Sequence, residues 1–512
     1  MSRIMPAVLP AFALALSAMA ASNLGAAPVK PAAAHSATAS KADLLPFKAT
    51  EKTLANGLKI IIVPTGFPNL VSLQIPVQTG SRNEVEPGKS GFAHFFEHMM
   101  FRGTKAYPPE KYQEVITRAG ARQNAYTSDD LTNYHTTFAK QDLETVLKVE
   151  ADRFQHLDYA EDAFKTESRA VLGEYNKNSA NPVSKLFEVM RDSAYTTHTY
   201  KHTTMGFIQD IEDMPNQYAY SKLFFDRWYR PERTTIIIAG DVEPQQAIAL
   251  VEKYWSSWQR GKQQAAVPVE PAPHGPVYKH VAWPTPTLPW VAVGFHAPAF
   301  SVKDKDQAAL ATLLSLSFGR TSPLYKRLVQ NEQKVDQLFE MTPDRVDPTL
   351  AVLGARVKNI DDAVYVRDAI LATVAQLRDT PVSEKDLADA KSAEKYGLIR
   401  SLDNTEQIAG TLASFVHFDR SYATINQYYR LIDTLTPADL QAAARKYLTD
   451  DGLVVTTLSN QPMAAAIATT PTLASLLPQN VLLSDGLKEK YLADLNNKQT
   501  TFEDVLYNVG MG

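Results

Sequence analysis

Two histidines and a glutamate stand within five residues at His94-Phe95-Phe96-Glu97-His98. On an α-helix His94 and His98 lie one turn apart on the same face, so two imidazole nitrogens can converge on one ion at the roughly 2.0–2.1 Å that zinc prefers. Glu97 shares that side of the helix but stands one position off the ligand axis. From there its carboxylate can reach a water activated by the ion and act as a general base. The other positions between Ser90 and Gly103 are mostly phenylalanine, methionine and alanine, so the helix is expected to be buried nearly all round. Burying two imidazoles and a carboxylate there without partners costs several kcal/mol.

Two histidines and a water leave a catalytic zinc one protein ligand short. Residues 160–177 read as an acid-rich helix that places Glu167 and Glu174 seven positions apart, on one face. One carboxylate can bind the ion while the other holds a histidine or the water; spacing alone does not choose between them. His198 and His202 are also four apart. They lack a glutamate between them and sit among threonines, which makes them the weaker metal pair.

These side chains need a frame. Ser90 is the predicted N-cap of the histidine helix and Gly103 its C-terminal stop. Further helices are predicted from Pro109, Gln141 and Ala160. Residues 57–63, 71–77 and 234–239 read as strands, being rich in β-branched residues and bounded by proline or glycine. The mixture predicts an α+β fold in which sheets are covered by helices.

A chain of 512 residues exceeds one ordinary core. Between residues 259 and 276, Gly261, Gln263, Gln264 and four prolines break all periodicity and predict a linker. The halves on either side echo each other. Ile211-Glu212-Asp213-Met214-Pro215, a helix and a strand ending at Gly240 recur as Ile432-Asp433-Thr434-Leu435-Thr436-Pro437, a helix and a strand at 453–458. Likewise residues 142–176 are echoed by 362–398. A duplicated domain is therefore expected, over residues 49–258 and 277–460.

At the N-terminus, Arg3, the apolar run 7–16 and Ala18-Met19-Ala20 form an export signal over residues 1–20. Residues 21–48 read as a flexible leader and 461–512 as a tail, with an amphipathic segment at 483–495. The chain has no cysteine, which removes disulfide and thiolate chemistry; with export, this predicts the bacterial periplasm. A net charge of -4 gives no field to gather nucleic acid. No apolar run approaches the roughly 20 residues of a membrane span, so no membrane insertion is expected after signal removal.

H-x-x-E-H is the inverted zincin signature, and the sequence resembles the pitrilysin-type peptidases, the family of insulin-degrading enzyme and the mitochondrial processing peptidase. Residues 91–104 resemble the family's metal helix, Asn124-Ala125-Tyr126-Thr127 its substrate-pairing edge strand, and 167–174 its second acidic helix. His198-Thr199-Tyr200 and Tyr229-Arg230-Pro231 are also family-like. The resemblance implies two homologous domains, each an antiparallel-rich sheet covered by helices, enclosing a peptide chamber. It implies one zinc per chain, with Glu174 as third ligand and Glu167 as supporting carboxylate. Asn124 and Ala125 would bind an extended peptide by β-augmentation, and the activity would be that of a zinc endopeptidase.

One departure stands out. The family's second domain contributes an arginine and a tyrosine seven residues apart, and the matching positions here hold Val329 and Asp336. Losing such a transition-state stabiliser typically costs about 10²–10³ in turnover. A homologous partner subunit, in a heterodimer, is expected to supply the pair, or else a second copy in a homodimer. The second half has no H-x-x-E-H and its echo of Glu174 falls near Gly397, so a second zinc is not expected. The same departure leaves open a non-catalytic peptide-binding or assembly subunit of the same fold. The nitrogen and oxygen donors alone do not distinguish zinc from other divalent ions.

Overall fold

The computed structural model describes residues 43–262 and 265–477. The first half opens with β1 (Thr50–Thr53), β2 (Lys59–Pro64) and β3 (Leu70–Val77), followed by α1 (Phe92–Met99) and α2 (Pro109–Arg118). A hairpin of β4 (Arg122–Thr127) and β5 (Thr132–Ala139) comes next. Then follow α3 (Leu143–His156), α4 (Glu161–Ser179), α5 (Pro182–Ala194), α6 (Ile208–Asp213), α7 (Tyr218–Trp228), β6 (Thr235–Gly240) and α8 (Pro244–Trp255).

The second half runs β7 (Val277–Ala282), β8 (Trp290–Ala297), α9 (Asp306–Phe318) and α10 (Pro323–Tyr325), the last continuing as a π-helical turn over Lys326–Asn331. It proceeds through β9 (Val335–Met341), β10 (Thr349–Val357), α11 (Ala363–Asp379), α12 (Glu384–Ser401) and α13 (Thr405–Asp419). It closes with α14 (Ala423–Asp433), α15 (Pro437–Tyr447) and β11 (Leu453–Ser459).

The two sheets have one topology. Their orders are β1-β2-β6-β3-β5-β4 and β7-β11-β8-β10-β9, so the second repeats the first from β2 onward. In each, the first and last of the shared strands pair in parallel, β2 with β6 and β7 with β11, and the remaining neighbours are antiparallel. The α+β architecture predicted from the sequence is present, and the internal echo corresponds to a repeated chain path.

Isoleucine-rich runs explain how the sheets are covered. In β2 and β6, Ile60, Ile62, Ile236 and Ile238 point into a core with Phe92, Phe95 and Phe96 of α1. The alternate residues Ile61, Val63, Ile237 and Ala239 point the other way, into a core shared with Ala409, Leu412 and Val416 of α13. A strand buried on both faces reads as a continuous apolar run, which is what these segments are. Each isoleucine so buried stabilises by about 1.5–3 kcal/mol.

The helix on that far face belongs to the other half. α13 packs on β3 and β6, while α5, the helix at the same place in the first half, packs on β7, β8 and β11. There Leu186 and Met190 meet Trp290, Ala292, Val454 and Leu458. The halves thus exchange equivalent helices, and neither sheet is covered by its own half alone.

The proline-rich segment after α8 is fastened down as well. The Glu270 carboxylate accepts from the backbone N–H groups of Thr196, Thr197 and His198 at 2.7, 2.9 and 2.8 Å. The last residues of the predicted leader also pack: Leu45 is buried in the second half's core and its N–H donates to Asn426 Oδ1 at 3.1 Å. An apolar Leu44-Leu45 pair and Phe47 give this stretch the hydrophobic surface that the alanine-rich residues before it lack. Ile467 and Leu473 of the predicted tail join the same core. The signal segment and residues 483–495 lie outside the described residues. No helix among the described residues is long and apolar enough to cross a membrane.

Candidate metal centre

α1 is held at both ends. It starts at Gly91, whose φ of 91° is left-handed and whose missing Cβ would lie 2.2 Å from Ile211 Cδ1, so only glycine fits. Ser90 does not cap the helix as predicted. Its hydroxyl instead donates to Asp210 Oδ2 at 2.5 Å and accepts from Phe207 N–H at 2.8 Å. The free N–H groups of the first turn are taken by the buried Glu84, which accepts from Gly91 and Ala93 at 2.7 Å each, while burial pushes its pKa well above the ordinary carboxyl value. At the other end a 3₁₀ turn over Met100–Arg102 leads to Gly103 at φ 80°.

Phenylalanines and methionines anchor α1 in the core, leaving His98 half-buried towards α4, Glu97 half-buried towards β4 and His94 buried beside them. α4 brings both acids to this face. Glu174 Oε2 lies 3.5 Å from His94 Nε2 and 3.3 Å from His98 Nε2, and the three donors lie within 4.8 Å of one another. Tetrahedral ligands at zinc distances stand roughly 3.3–3.4 Å apart, and the two separations from Glu174 fit that spacing.

Glu167, 5% exposed, lies on the far side of His98, its Oε1 3.1 Å from Nδ1. With Nδ1 engaged by that carboxylate, Nε2 is the nitrogen turned towards Glu174. Arg102 Nε donates to the other oxygen of Glu167 at 2.5 Å. His94 Nδ1 is buried with no hydrogen-bond partner among the described residues.

The electrostatics follow from this crowding. Burial lowers the pKa of His98, but Glu167, Glu174 and Glu97 outweigh it and raise it to about 9. The hydrogen bonds from His94 and His98 hold the Glu174 carboxyl well below the usual carboxylate range. A cation bound between these groups would take over the role of the His98 proton.

Asn124 and Ala125 lie on β4, the outermost strand of the first sheet. They line a cleft of about 310 Å³ together with Glu97, His98, Phe101, Arg102 and Glu167. The structure therefore brings together all seven residues singled out from the sequence. His198 and His202 are engaged elsewhere: His198 Nε2 lies 2.8 Å from Asp347 Oδ2, and His202 Nδ1 3.0 Å from Thr203 O. Burial lowers the His202 pKa to about 4.

Three residues at the site were missed. Arg102 was visible as a cation one turn beyond His98, and Thr127, whose hydroxyl donates to Glu97 Oε2 at 2.6 Å, lay inside the edge-strand motif. Glu84 carried no signal, because the loop that returns it to Gly91 has no local pattern.

In the second half, α9, β9 and α12 surround a cleft of about 640 Å³ at the place equivalent to that of α1, β4 and α4, lined by residues including Thr312, Ser315, Glu340 and Glu394. Val329 packs against the core, and Asp336 on β9 accepts two hydrogen bonds from Arg356 at 2.8 and 2.7 Å.

Comparison with known proteins gives consistent results. The family described as insulinase (peptidase family M16) matches residues 63–207, and the peptidase M16 inactive domain matches residues 219–394. The zinc protease PqqE of Helicobacter pylori is 29% identical over 405 residues, covering 78% of this chain and 90% of that protein. The crystal structure of a protease from Helicobacter pylori superposes with a TM-score of 0.74 at 28% identity, covering 81% of this chain and 99% of that one. The periplasmic protease PqqL from Escherichia coli shares the fold, with a TM-score of 0.69 at 22% identity over 85% of this chain and 50% of that one.

Proposed function

Because the chain belongs to peptidase family M16, we propose that it is a zinc-dependent endopeptidase hydrolysing extended or unfolded peptides. One observation carries this reading: a single oxygen, Glu174 Oε2, lies 3.5 and 3.3 Å from the Nε2 atoms of His94 and His98. In this reading His94, His98 and Glu174 hold one zinc ion, and Glu167 fixes the tautomer and orientation of His98. Bound there, zinc supplies Lewis acidity, polarising the peptide carbonyl and acidifying water. Glu97 takes the proton of the attacking water and delivers it to the departing amine. Asn124 and Ala125 offer the free edge of β4 to the peptide, which lies along it as an added strand.

The zinc-bearing domain of this reading spans residues 49–258, the linker 259–276, and the homologous domain without a metal site 277–460. Residues 1–20 act as a signal peptide and the protein works in the periplasm, the compartment named for PqqL of Escherichia coli. A homologous partner subunit, or a second copy of the chain, supplies the arginine and tyrosine that Val329 and Asp336 replace. In support, this chain covers only half the length of PqqL, so that protein carries further sequence of similar length.

Zinc content and peptidase activity measured on the same sample, with and without a homologous partner, test the proposal. Glu97→Gln should keep zinc and abolish cleavage; full activity in that variant would sink it. The missing arginine and tyrosine also favour a second reading, a peptide-binding or assembly subunit without catalysis. Peptide binding with no cleavage in any mixture would select it.

A further inference from the structure

We propose that Thr127 is a positioning residue that aims the Glu97 carboxylate, and that it does so from the strand that receives the peptide. The inference rests on Glu97 being the general base. Its starting point is the hydrogen bond from Thr127 Oγ1 to Glu97 Oε2 at 2.6 Å, between a residue of β4 and one of α1. With Oε2 held, Oε1 is the oxygen left for proton transfer. A glutamate on a half-buried helix face has three rotatable bonds, and a fixed donor removes most of that freedom. Threonine suits the task because its β-branch restricts χ1, so the hydroxyl is itself held in place.

Thr127 is the last residue of β4 and pairs with Thr132 across the hairpin. The loop between them is fastened from several directions. Ser128 N–H donates to Leu131 O at 2.8 Å, and Ser128 Oγ accepts from Leu131 N–H at 3.2 Å. Asp129 accepts from Arg191 and Arg345 at 2.7 Å each, and Asp130 accepts from Tyr200 Oη at 2.6 Å and from Val346 N–H at 3.0 Å. The loop backbone is also packed so closely on Gly80 that a Cβ there would lie 2.3 Å from Ser128 O and Asp129 O. Thr127 therefore has little room to shift, and part of its support comes from the second half of the chain.

Side chains alternate along a strand, so Ala125 and Thr127 share one face of β4. Ala125 is buried in the core that contains α1, and Thr127 reaches Glu97 on that side. A peptide hydrogen-bonded to the outer edge of β4 is thereby registered against the same rigid element that holds the base. Misplacing a catalytic group by about 1 Å can cost 10²-fold in rate, which is the scale on which this contact acts.

The test compares wild type, Thr127→Val, Thr127→Ser and Glu97→Gln as full chains, each with the partner present if cleavage needs it. Thr127→Val keeps the shape and removes the hydroxyl. It should lower kcat about tenfold or more, with KM and the zinc dissociation constant within about twofold of wild type. Thr127→Ser should retain at least about a third of kcat. A crystal structure of Thr127→Val should show the Glu97 carboxylate turned away from β4. Wild-type kcat in Thr127→Val, a loss confined to zinc affinity or KM, a serine variant as impaired as the valine one, or an unmoved carboxylate overturns the inference. Full activity in Glu97→Gln would instead overturn the assignment of the base, so the two failures are distinct.

Discussion

Arg345 Nε donates to Asp129 Oδ2 at 2.7 Å, joining residues 216 positions apart across the two halves of the chain. The other carboxylate oxygen of Asp129 accepts from Arg191 Nη2 at 2.7 Å and from Ser81 Oγ at 3.0 Å. Burial disfavours the charge on Asp129, but the two guanidinium groups outweigh it and hold its pKa well below the ordinary carboxylate range. This buried cluster adjoins the loop that follows Thr127, so the interface between the halves and the edge of the metal site are one construction.

Asp129→Asn leaves two arginines facing a neutral amide. Removing one partner of a buried ion pair costs about 3–5 kcal/mol because the remaining charge is left uncompensated. The urea midpoint should fall accordingly, and kcat should fall more than KM rises, since the loop is the footing of Thr127. An unchanged midpoint would show that water or rearrangement satisfies the arginines.

Acid should weaken the same interface. The Asp347 carboxylate accepts from Arg82 Nε at 2.5 Å and lies 2.8 Å from His198 Nε2. Burial raises its pKa, but these partners prevail and bring it from 3.8 to about 2. A carboxyl depressed by folding contributes stability that is fully present above its unfolded pKa and is lost as pH falls through the folded value. The difference in urea midpoint between wild type and Asp347→Asn should therefore be constant above about pH 5 and shrink between about pH 4 and pH 2. A difference independent of pH over that window would refute this origin.

At the metal centre, Glu167→Gln should lower zinc affinity about 10–100-fold, the usual effect of disturbing a group that orients a ligand. The amide can still accept from His98 Nδ1–H but loses the ion pair with Arg102. Glu174→Gln removes a charged ligand and should lower affinity further. Competition with a chelator ranks the variants, and equal affinity for Glu167→Gln and wild type would remove Glu167 from the site.

The sequence was most informative where a function is local. Both histidines and Glu97 lie within five residues of one helix, so their shared face followed from spacing, and the face shared by Glu167 and Glu174 followed in the same way. Which acid meets which nitrogen was not legible, because it depends on how α4 crosses α1. The role of Ser90 was misread for a related reason: Asp210 and Phe207, distant in sequence, claim its hydroxyl, and Glu84 takes over the cap. The exchange of α5 and α13 left no trace, since an apolar helix face reads the same whichever sheet it covers. The repeat itself was visible because it is written in loop and helix-start residues.

That exchange carries the last prediction. Met190 of α5 packs on the second sheet and Leu412 of α13 against residues of the first, both with under 2% exposure. If each half's sheet depends on the other half's helix, neither can unfold alone. Met190→Ala and Leu412→Ala should each cost about 2–5 kcal/mol. Each should shift one calorimetric transition as a whole, with the van't Hoff and calorimetric enthalpies remaining equal. Indole fluorescence offers a local check, because Trp228 and Trp255 lie in the first half's core and Trp290 beneath α5. Variants keeping only Trp290, or only the first-half tryptophans, should report the same midpoint. A Met190→Ala protein in which Trp290 is exposed before Trp228 and Trp255 would mean that the halves unfold separately and that the exchanged helices do not couple them.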